Sequence, residues 1–421
     1  MNNLEKVLLY VDKKVSILCV GLFVSLIACG QTDTSAFDKL YSEFTRIESI
    51  YRNHYINKEY DKTVISLEEV LSLINKVNLT DEDKSTYERF IDMMKSDTYY
   101  NLSCSYSLMN KKKQAVDAFE NAVKSGYKNY RHALSDKDLD NIRKDKKFTK
   151  LLQSIKEFDN LIVLQKSNGY KKEENDSLPL FSYEAENSWN LQNVRAFFNL
   201  DSVAGNGDEL SKIINILNFI HNSIRHDGGN FALCEFDAID IYNYHKSTGK
   251  GVNCRHLAIA LNEMYLSMGI KSRYVTCMPK DPNDNDCHVI NSVYSQQLNK
   301  WIWIDPSFNA YVKDEKGNFL GIAEVRERLI NNQPLVLNED ANHNNETKQT
   351  KEEYLENYMA KNLYWFLCID ESKFNPESRY RETYGKYIAL VPEGFVLNLP
   401  ENIINARYIT NDPDYFWQLP K

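Results

Sequence analysis

Residues 249–278 read GKGVNCRHLAIALNEMYLSMGIKSRYVTCM. Cys254, Leu257, Ala258, Leu261, Met264, Tyr265 and Met268 recur at i, i+3, i+4, i+7, i+10, i+11 and i+14, the spacing of one helical face. Asn253 is a good N-cap, and Gly269 follows the last apolar position as a C′ glycine does. The spacing therefore predicts a buried helix that begins at Cys254. Lys271 to Met278 then turns β-branched and aromatic, which predicts a strand. The placement of Cys254 has chemical meaning. A helix N-terminus favours a thiolate, the nucleophilic form of the residue. The first-turn N–H groups lack helical partners and can face a developing oxyanion.

Working outward, residues 279–286 (PKDPNDND) form a polar, turn-rich loop. His288 to Tyr294 (HVINSVY) reads as a strand, Gln296 to Lys300 as a turn, and Trp301 to Asp305 (WIWID) as a further strand. Alternation places His288, Ile290, Ser292 and Tyr294 on one face, and Trp301, Trp303 and Asp305 on one face. A helix packed against that face would bring Cys254 to His288, with Asp305 behind the imidazole. Nucleophile, base and orienting carboxylate in that relation make a catalytic triad. Taken alone, such a cysteine is more often an inert core residue. The three residues in order, with their flanks, favour chemistry.

Helix-borne Cys254, strand-borne His288 and strand-end Asp305-Pro306, in that order, resemble the transglutaminase-like cysteine enzymes. Three flanks add to the resemblance: residues 217–224 (LNFIHNSI) before the core, 268–275 (MGIKSRYV) from helix to strand, and 301–307 (WIWIDPS) at the strand end. It spans residues 205–310. Two departures stand out. The family often has Gly two residues before the nucleophile; Val252 is there and Gly251 lies three before. After the histidine it often shows Trp, Asn and Glu at +2, +3 and +4; here stand Ile290, Asn291 and Ser292. The resemblance implies a papain-like Cys-His-Asp fold with an antiparallel sheet and acyl transfer through a thioester, with no cofactor.

Other reactive side chains near this core have plainer readings. His256, two residues from Cys254, points to another helix face and is structural or cleft-rim. His226 stands beside Gly228 and Gly229, in a turn or lining the cleft. Cys277, Cys287 and His288 lack the tight paired spacing of a zinc site. A cross-strand disulfide between Cys277 and Cys287, both pointing away from His288, fits better.

The N-terminal half is helical. Residues 63–74 (TVISLEEVLSLI) have a helical period, and 81–96 and 136–155 read as further helical pieces. Tyr99, Leu102, Ser103 and Tyr106, then Ala115, Phe119 and Ala122, with a turn at Asn110–Lys113 and Gly126 as a cap, resemble a tetratricopeptide repeat. Such repeats stack to bury their faces and either present a concave surface to a partner protein or serve as a packing platform.

Lys6, Lys13 and Lys14 precede an apolar run, Val15 to Ala28. At fourteen residues it is short for a bilayer span, which needs about 20. It reads as a signal peptide. Its end, Leu26-Ile27-Ala28-Cys29-Gly30, resembles the lipobox of bacterial lipoproteins, which makes Cys29 the lipidated residue of an exported, cell-envelope protein. The chain has 421 residues, 43% hydrophobic and 26% charged, with a formal net charge of −8. It is no disordered or polytopic membrane chain, and nothing basic is present to hold a nucleic-acid backbone.

These readings place a signal peptide at 1–28, a tether at 29–35, a helical module at 36–160, a linker at 161–185, an α+β core at 186–338, and a polar loop with a β-rich extension at 339–421. The expected activity is peptide or amide hydrolysis by Cys254, His288 and Asp305. Protein cross-linking and a non-catalytic binding scaffold are the alternatives.

Overall fold

The computed structural model describes residues 36–172, 177–281, 284, 286–378, 386–397 and 406–420. The expected signal peptide, tether and Cys29 lie outside the described residues. Among those described, no helix is long and apolar enough to cross a membrane. The chain divides into two compact units, Met1–Ile162 and Val163–Lys421.

The first unit is helical: α1 (Ala36–Ile56), α2 (Tyr60–Lys76), α3 (Asp81–Leu108), α4 (Lys112–Lys124) and, after shorter turns, α5 (Lys146–Ser154). The segments read separately at 81–96 and 99–108 are one continuous helix, because no Gly or Pro interrupts 81–108. Small residues let α3 and α4 approach closely: Ala115 and Ala122 are fully buried, and Ser103 Oγ donates to the Ala115 carbonyl at 2.8 Å. Phe119 fills the space beside them, its ring 4.7 Å from that of Phe148 on α5. Asp145 starts α5, its carboxylate accepting from the Lys147 and Phe148 amides at 2.8 and 3.0 Å.

The second unit is α+β. Its helices include α6 (Trp189–Phe197), α7 (Glu209–Ser223), α8 (Ala238–Thr248) and α9 (Cys254–Ser267). Its main sheet uses β1 (Ser272–Met278), β2 (His288–Ser295), β3 (Lys300–Ile304), β4 (Trp365–Ile369), β5 (Tyr387–Leu390) and β6 (Ala406–Thr410). The spatial order is β6-β5-β4-β1-β2-β3, antiparallel except for the β5–β6 pair. The three tail strands thus complete the sheet of the core, and 339–421 is no separate appendage.

In the stretch read as a linker, 161–185, the described residues from Val163 onward belong to the second unit and are tied into it. Gln165 Nε2 donates to the Leu329 carbonyl at 3.1 Å, and Ser182–Tyr183 pairs in parallel with Glu371–Ser372. Its polar composition hid these pairings, because they run through side-chain amides and main chain.

Helix α9 is buried on almost every side rather than along one stripe. Two of its buried polar side chains bond to neighbouring segments. Glu263 accepts from the Ala238 and Asn375 amides at 2.8 and 2.7 Å, and Asn262 donates to Ser372 at 2.9 Å. The helix shares a core with Tyr274, Val289, Val293, Ile302 and Ile304, and Asn291 Nδ2 donates to the Ala258 carbonyl at 2.9 Å. This is the sheet face opposite to His288. The expectation that α9 covers the His288 face is therefore corrected: strand alternation fixes which residues share a face, not which face a helix covers.

Candidate active site

Cys254 and His288 are both the first residues of their elements, α9 and β2, so their approach needs no shared face. Asn253 caps α9, accepting from the His256 amide at 3.2 Å. The amides of Cys254 and Arg255 precede any helical acceptor. Cys254 is half-buried. Gly251 sits where residues 225–227 pass: a Cβ there would lie 2.9 Å from the Arg225 carbonyl oxygen and 2.7 Å from Asp227 Cβ. The glycine three residues before the thiol is thus a close-approach position, which explains the shifted spacing noted in the sequence.

His288 Nε2 meets Asp305 Oδ2 at 2.7 Å, and both residues are fully buried. Burial opposes a charge on the imidazole, but the charge and hydrogen bond of Asp305, helped by Cys254, outweigh it and raise the pKa to about 10. The remaining ring nitrogen, Nδ1, has no hydrogen-bond partner among the described residues, and Cys254 stands near enough to favour the charged imidazole. Burial would raise the Asp305 pKa, but His288 and the hydrogen bonds to the carboxylate bring it below the usual carboxylate value. Tyr354 donates its hydroxyl to Oδ2 at 2.6 Å, and the Ser307 amide donates to Oδ1 at 2.8 Å. Trp303 Nε1 in turn donates to the Tyr354 hydroxyl at 3.2 Å. The Asp305 and Ala310 backbones bond each other at 2.8 and 3.0 Å, which holds the carboxylate's own main chain. The three residues singled out in the sequence therefore converge: Asp305 hydrogen-bonds His288, and the imidazole interacts with Cys254.

The structure adds residues that the sequence reading missed. A π-helical segment, Glu352–Met359, carries Tyr354 and Tyr358 on one side. The Tyr358 and Phe308 rings pack edge-on to His288 at 5.3 and 5.5 Å. The polar run at 339–353 is a clamp instead of a plain surface loop. Its hairpin pairs Asn342–His343 with Thr347–Lys348, and Asn344 and Asn345 take left-handed φ of 56° and 59°. The Asn344 side chain grips the His226 backbone at both N–H and carbonyl, 2.8 and 3.0 Å. His343 Nε2 lies 2.9 Å from His226 Nδ1, and Asn342 Oδ1 lies 2.9 Å from His221 Nε2. His221 Nδ1 in turn reaches the carbonyl of Pro306, next to Asp305, at 2.9 Å. The run Asn-His-Asn-Asn-Glu at 342–346 was its signal in the sequence: Asn tolerates left-handed backbone and offers both donor and acceptor.

Arg255 ion-pairs with Glu377 at 2.7 Å and donates to Thr276 at 3.0 Å; Tyr274 and Tyr387 also donate to Glu377. This half-buried group fastens the segment ending at Ser378 beside the start of α9. His256 stacks on Phe236 at 4.9 Å and takes no part in the triad.

The disulfide expected between Cys277 and Cys287 is absent; both are thiols. The register explains why. Cys277 lies directly opposite His288, not Cys287, so it shares the face of His288. Burial raises both thiol pKa values, that of Cys287 to about 11. Among the described residues, no three His, Cys, Asp or Glu side chains are arranged to hold a metal ion.

Residues 198–306 match a family model, the transglutaminase-like superfamily. A 58-residue stretch of similarity, 41% identical, links the chain to a chloroplastic protein of Arabidopsis thaliana. It covers 14% of this chain and 17% of that protein, well short of two thirds of its length. Cys254, His288 and Asp305 all fall inside the family match, and residues 198–306 are a transglutaminase-like domain.

Proposed function

We propose that this domain is a thiol acyl-transfer enzyme acting on peptide or amide bonds. The observation that carries the reading is the buried imidazole of His288, fixed by Asp305 at Nε2 and left open to Cys254 at Nδ1. His288 takes the Cys254 proton, and Sγ attacks the substrate carbonyl carbon. The carbonyl electrons pass to oxygen, where the free amides of the α9 first turn can receive them. Collapse breaks the C–N bond, His288 protonates the leaving amine, and a thioester remains on Cys254. Water, deprotonated by His288, then hydrolyses the thioester and returns the proton to sulfur. Asp305 holds the tautomer and supports the imidazolium. A lysine amine in place of water would give cross-linking.

The proposal extends to the rest of the chain. The helical unit is a tetratricopeptide-like repeat module able to take a protein partner, supported by the close α3–α4 packing at Ser103, Ala115 and Phe119. Cys29 carries the lipid that anchors an exported protein to a membrane of the cell envelope, supported by the motif at 26–30. A second reading, a binding scaffold with an inactive fold, draws on His288 having no exposed surface.

Labelling with a thiol-directed acyl or alkyl probe separates the two. Selective modification of Cys254 that disappears in His288→Ala is the expected result. If Cys254 reacts no faster than Cys104 or Cys368, which are buried, the scaffold reading stands. A screen of peptide and glutamine-donor substrates, wild type against Cys254→Ala, then identifies the bond.

A further inference from the structure

The helical unit encloses a recess of about 360 Å³, formed entirely by its own residues. Its walls are rich in phenol rings: Tyr51 and Tyr55 from α1, Tyr100 from α3, and Tyr127 after α4. Tyr100 and Tyr127 stack with centroids 4.4 Å apart and an interplanar angle of 13°. Tyr100 donates to Asp136 at 2.7 Å and Tyr55 donates to Asp138, and both carboxylates also line the recess.

Into this recess comes Asp97 of α3. It makes no hydrogen bond or ion pair with any described residue. The side chain is open to solvent through the mouth of the recess, yet the walls crowd out much of its water. That desolvation and the neighbouring charge of Glu48 push its carboxyl pKa up to about 6. Asp97 is thus an exposed acid beside a second acid, in the lining of a ring-walled recess. The two cations at the rim are already engaged. Arg52 pairs with Glu48 at 2.6 Å, and Lys128 lies over the Phe158 ring, 4.7 Å from its centroid. The recess thus combines a carboxylate without a counter-charge and a phenol wall in which Tyr55 is the half-buried ring and Tyr51, Tyr100 and Tyr127 are buried; a ring face open to the ligand attracts a cation. Its open mouth gives a ligand access to Asp97, and its volume suits one long side chain.

We propose that this recess binds an alkylammonium group, the end of a lysine side chain presented by a partner peptide. The charge would be met by Asp97 and the methylene stem by the tyrosine rings. The proposal is independent of the acyl-transfer reading and stands or falls without it.

Isothermal titration of the full chain with the peptide acetyl-Ala-Ala-Lys-Ala-Ala-amide tests it. Asp97→Asn should weaken binding by about tenfold or more, the scale of one charge-assisted contact. Acetylating the lysine Nε should weaken binding to wild type by a similar factor. Tyr55→Leu should weaken binding several-fold. Asp117→Asn serves as control, since it removes an exposed carboxylate that Lys147 holds at 2.8 Å outside the recess. It should leave the affinity unchanged. The proposal is overturned if the peptide does not bind, if the acetylated peptide binds equally well, or if Asp97→Asn has no effect. It is also overturned if Asp117→Asn weakens binding as much as Asp97→Asn, which would reduce the effect to net charge. Circular dichroism confirms that each variant is folded.

Discussion

Two oxygens of Asp305 answer to three donors, and that arithmetic governs the residue scale. Oδ2 receives both His288 and Tyr354, while Oδ1 receives the Ser307 amide. Tyr354→Phe keeps the ring and removes one donor, leaving the Trp303 indole N–H without its acceptor. A stability loss of about 1–3 kcal/mol is expected in chemical denaturation, the cost of an unpaired buried polar group. Cys254 labelling should slow without being abolished, because His288 keeps its bond to Asp305. The charged pair also sets a pH window. The His288 pKa is raised from 6.5 to about 10, so its stabilising contribution is whole below 6.5 and is lost as pH rises through about 10. The Asp305 pKa is lowered from 3.8, so its contribution is whole above 3.8 and is lost as pH falls further. The difference in Tm between wild type and His288→Gln should therefore be greatest between 3.8 and 6.5 and should shrink toward pH 10. A difference that stays constant across that range would refute the assignment.

At the scale of elements, the 342–348 hairpin is the part whose removal should be felt furthest away. Asn344 supplies two hydrogen bonds to the His226 backbone and adopts φ 56°. Asn344→Gly tolerates that φ but loses the bonds and about 0.5–1 kcal/mol of backbone entropy; Asn344→Ala loses the bonds and adds about 1–2 kcal/mol of backbone strain. Both should lower Tm, Ala more than Gly, and equal losses would show that the left-handed turn carries no strain. Much of the site was legible in the sequence for a physical reason. The α9 cap at Asn253, the periodic face of the helix and the alternation of β2 and β3 are local rules, and they placed Cys254, His288 and Asp305 at element boundaries. What was not legible depends on distant chain. Nothing near Asp305 announces Tyr354, 49 residues later, as its second donor. The choice of the wrong sheet face for α9 has the same origin, since only tertiary packing decides it. The missing Cys277–Cys287 bridge came from a one-residue error of register, enough to exchange the faces of a strand.

At the scale of the whole molecule, two compact units each carry their own buried cores. Residue and element arguments can therefore be tested within one unit at a time. The proposed address is a property of the full chain: labelled palmitate should appear on wild type and vanish in Cys29→Ala, and an unlabelled wild type would refute the anchor. The site within the second unit has a further property. Cys254 and His288 both stand at the starting ends of their elements, so their separation is indifferent to what happens at the far ends. Lengthening α9 beyond Ser267 or the hairpin beyond Ser295 adds material downstream of the pair. An insertion between Gly251 and Cys254, or between Asp286 and His288, displaces one partner by a full residue. Inserted sequence should therefore act differently at the two poles of the sheet: at the turn after Ser295, whose Gln296 and Gln297 amides Glu209 holds at 3.0 and 2.9 Å, it costs that anchorage but leaves the pair in register, and just before Cys254 or His288 it separates the pair.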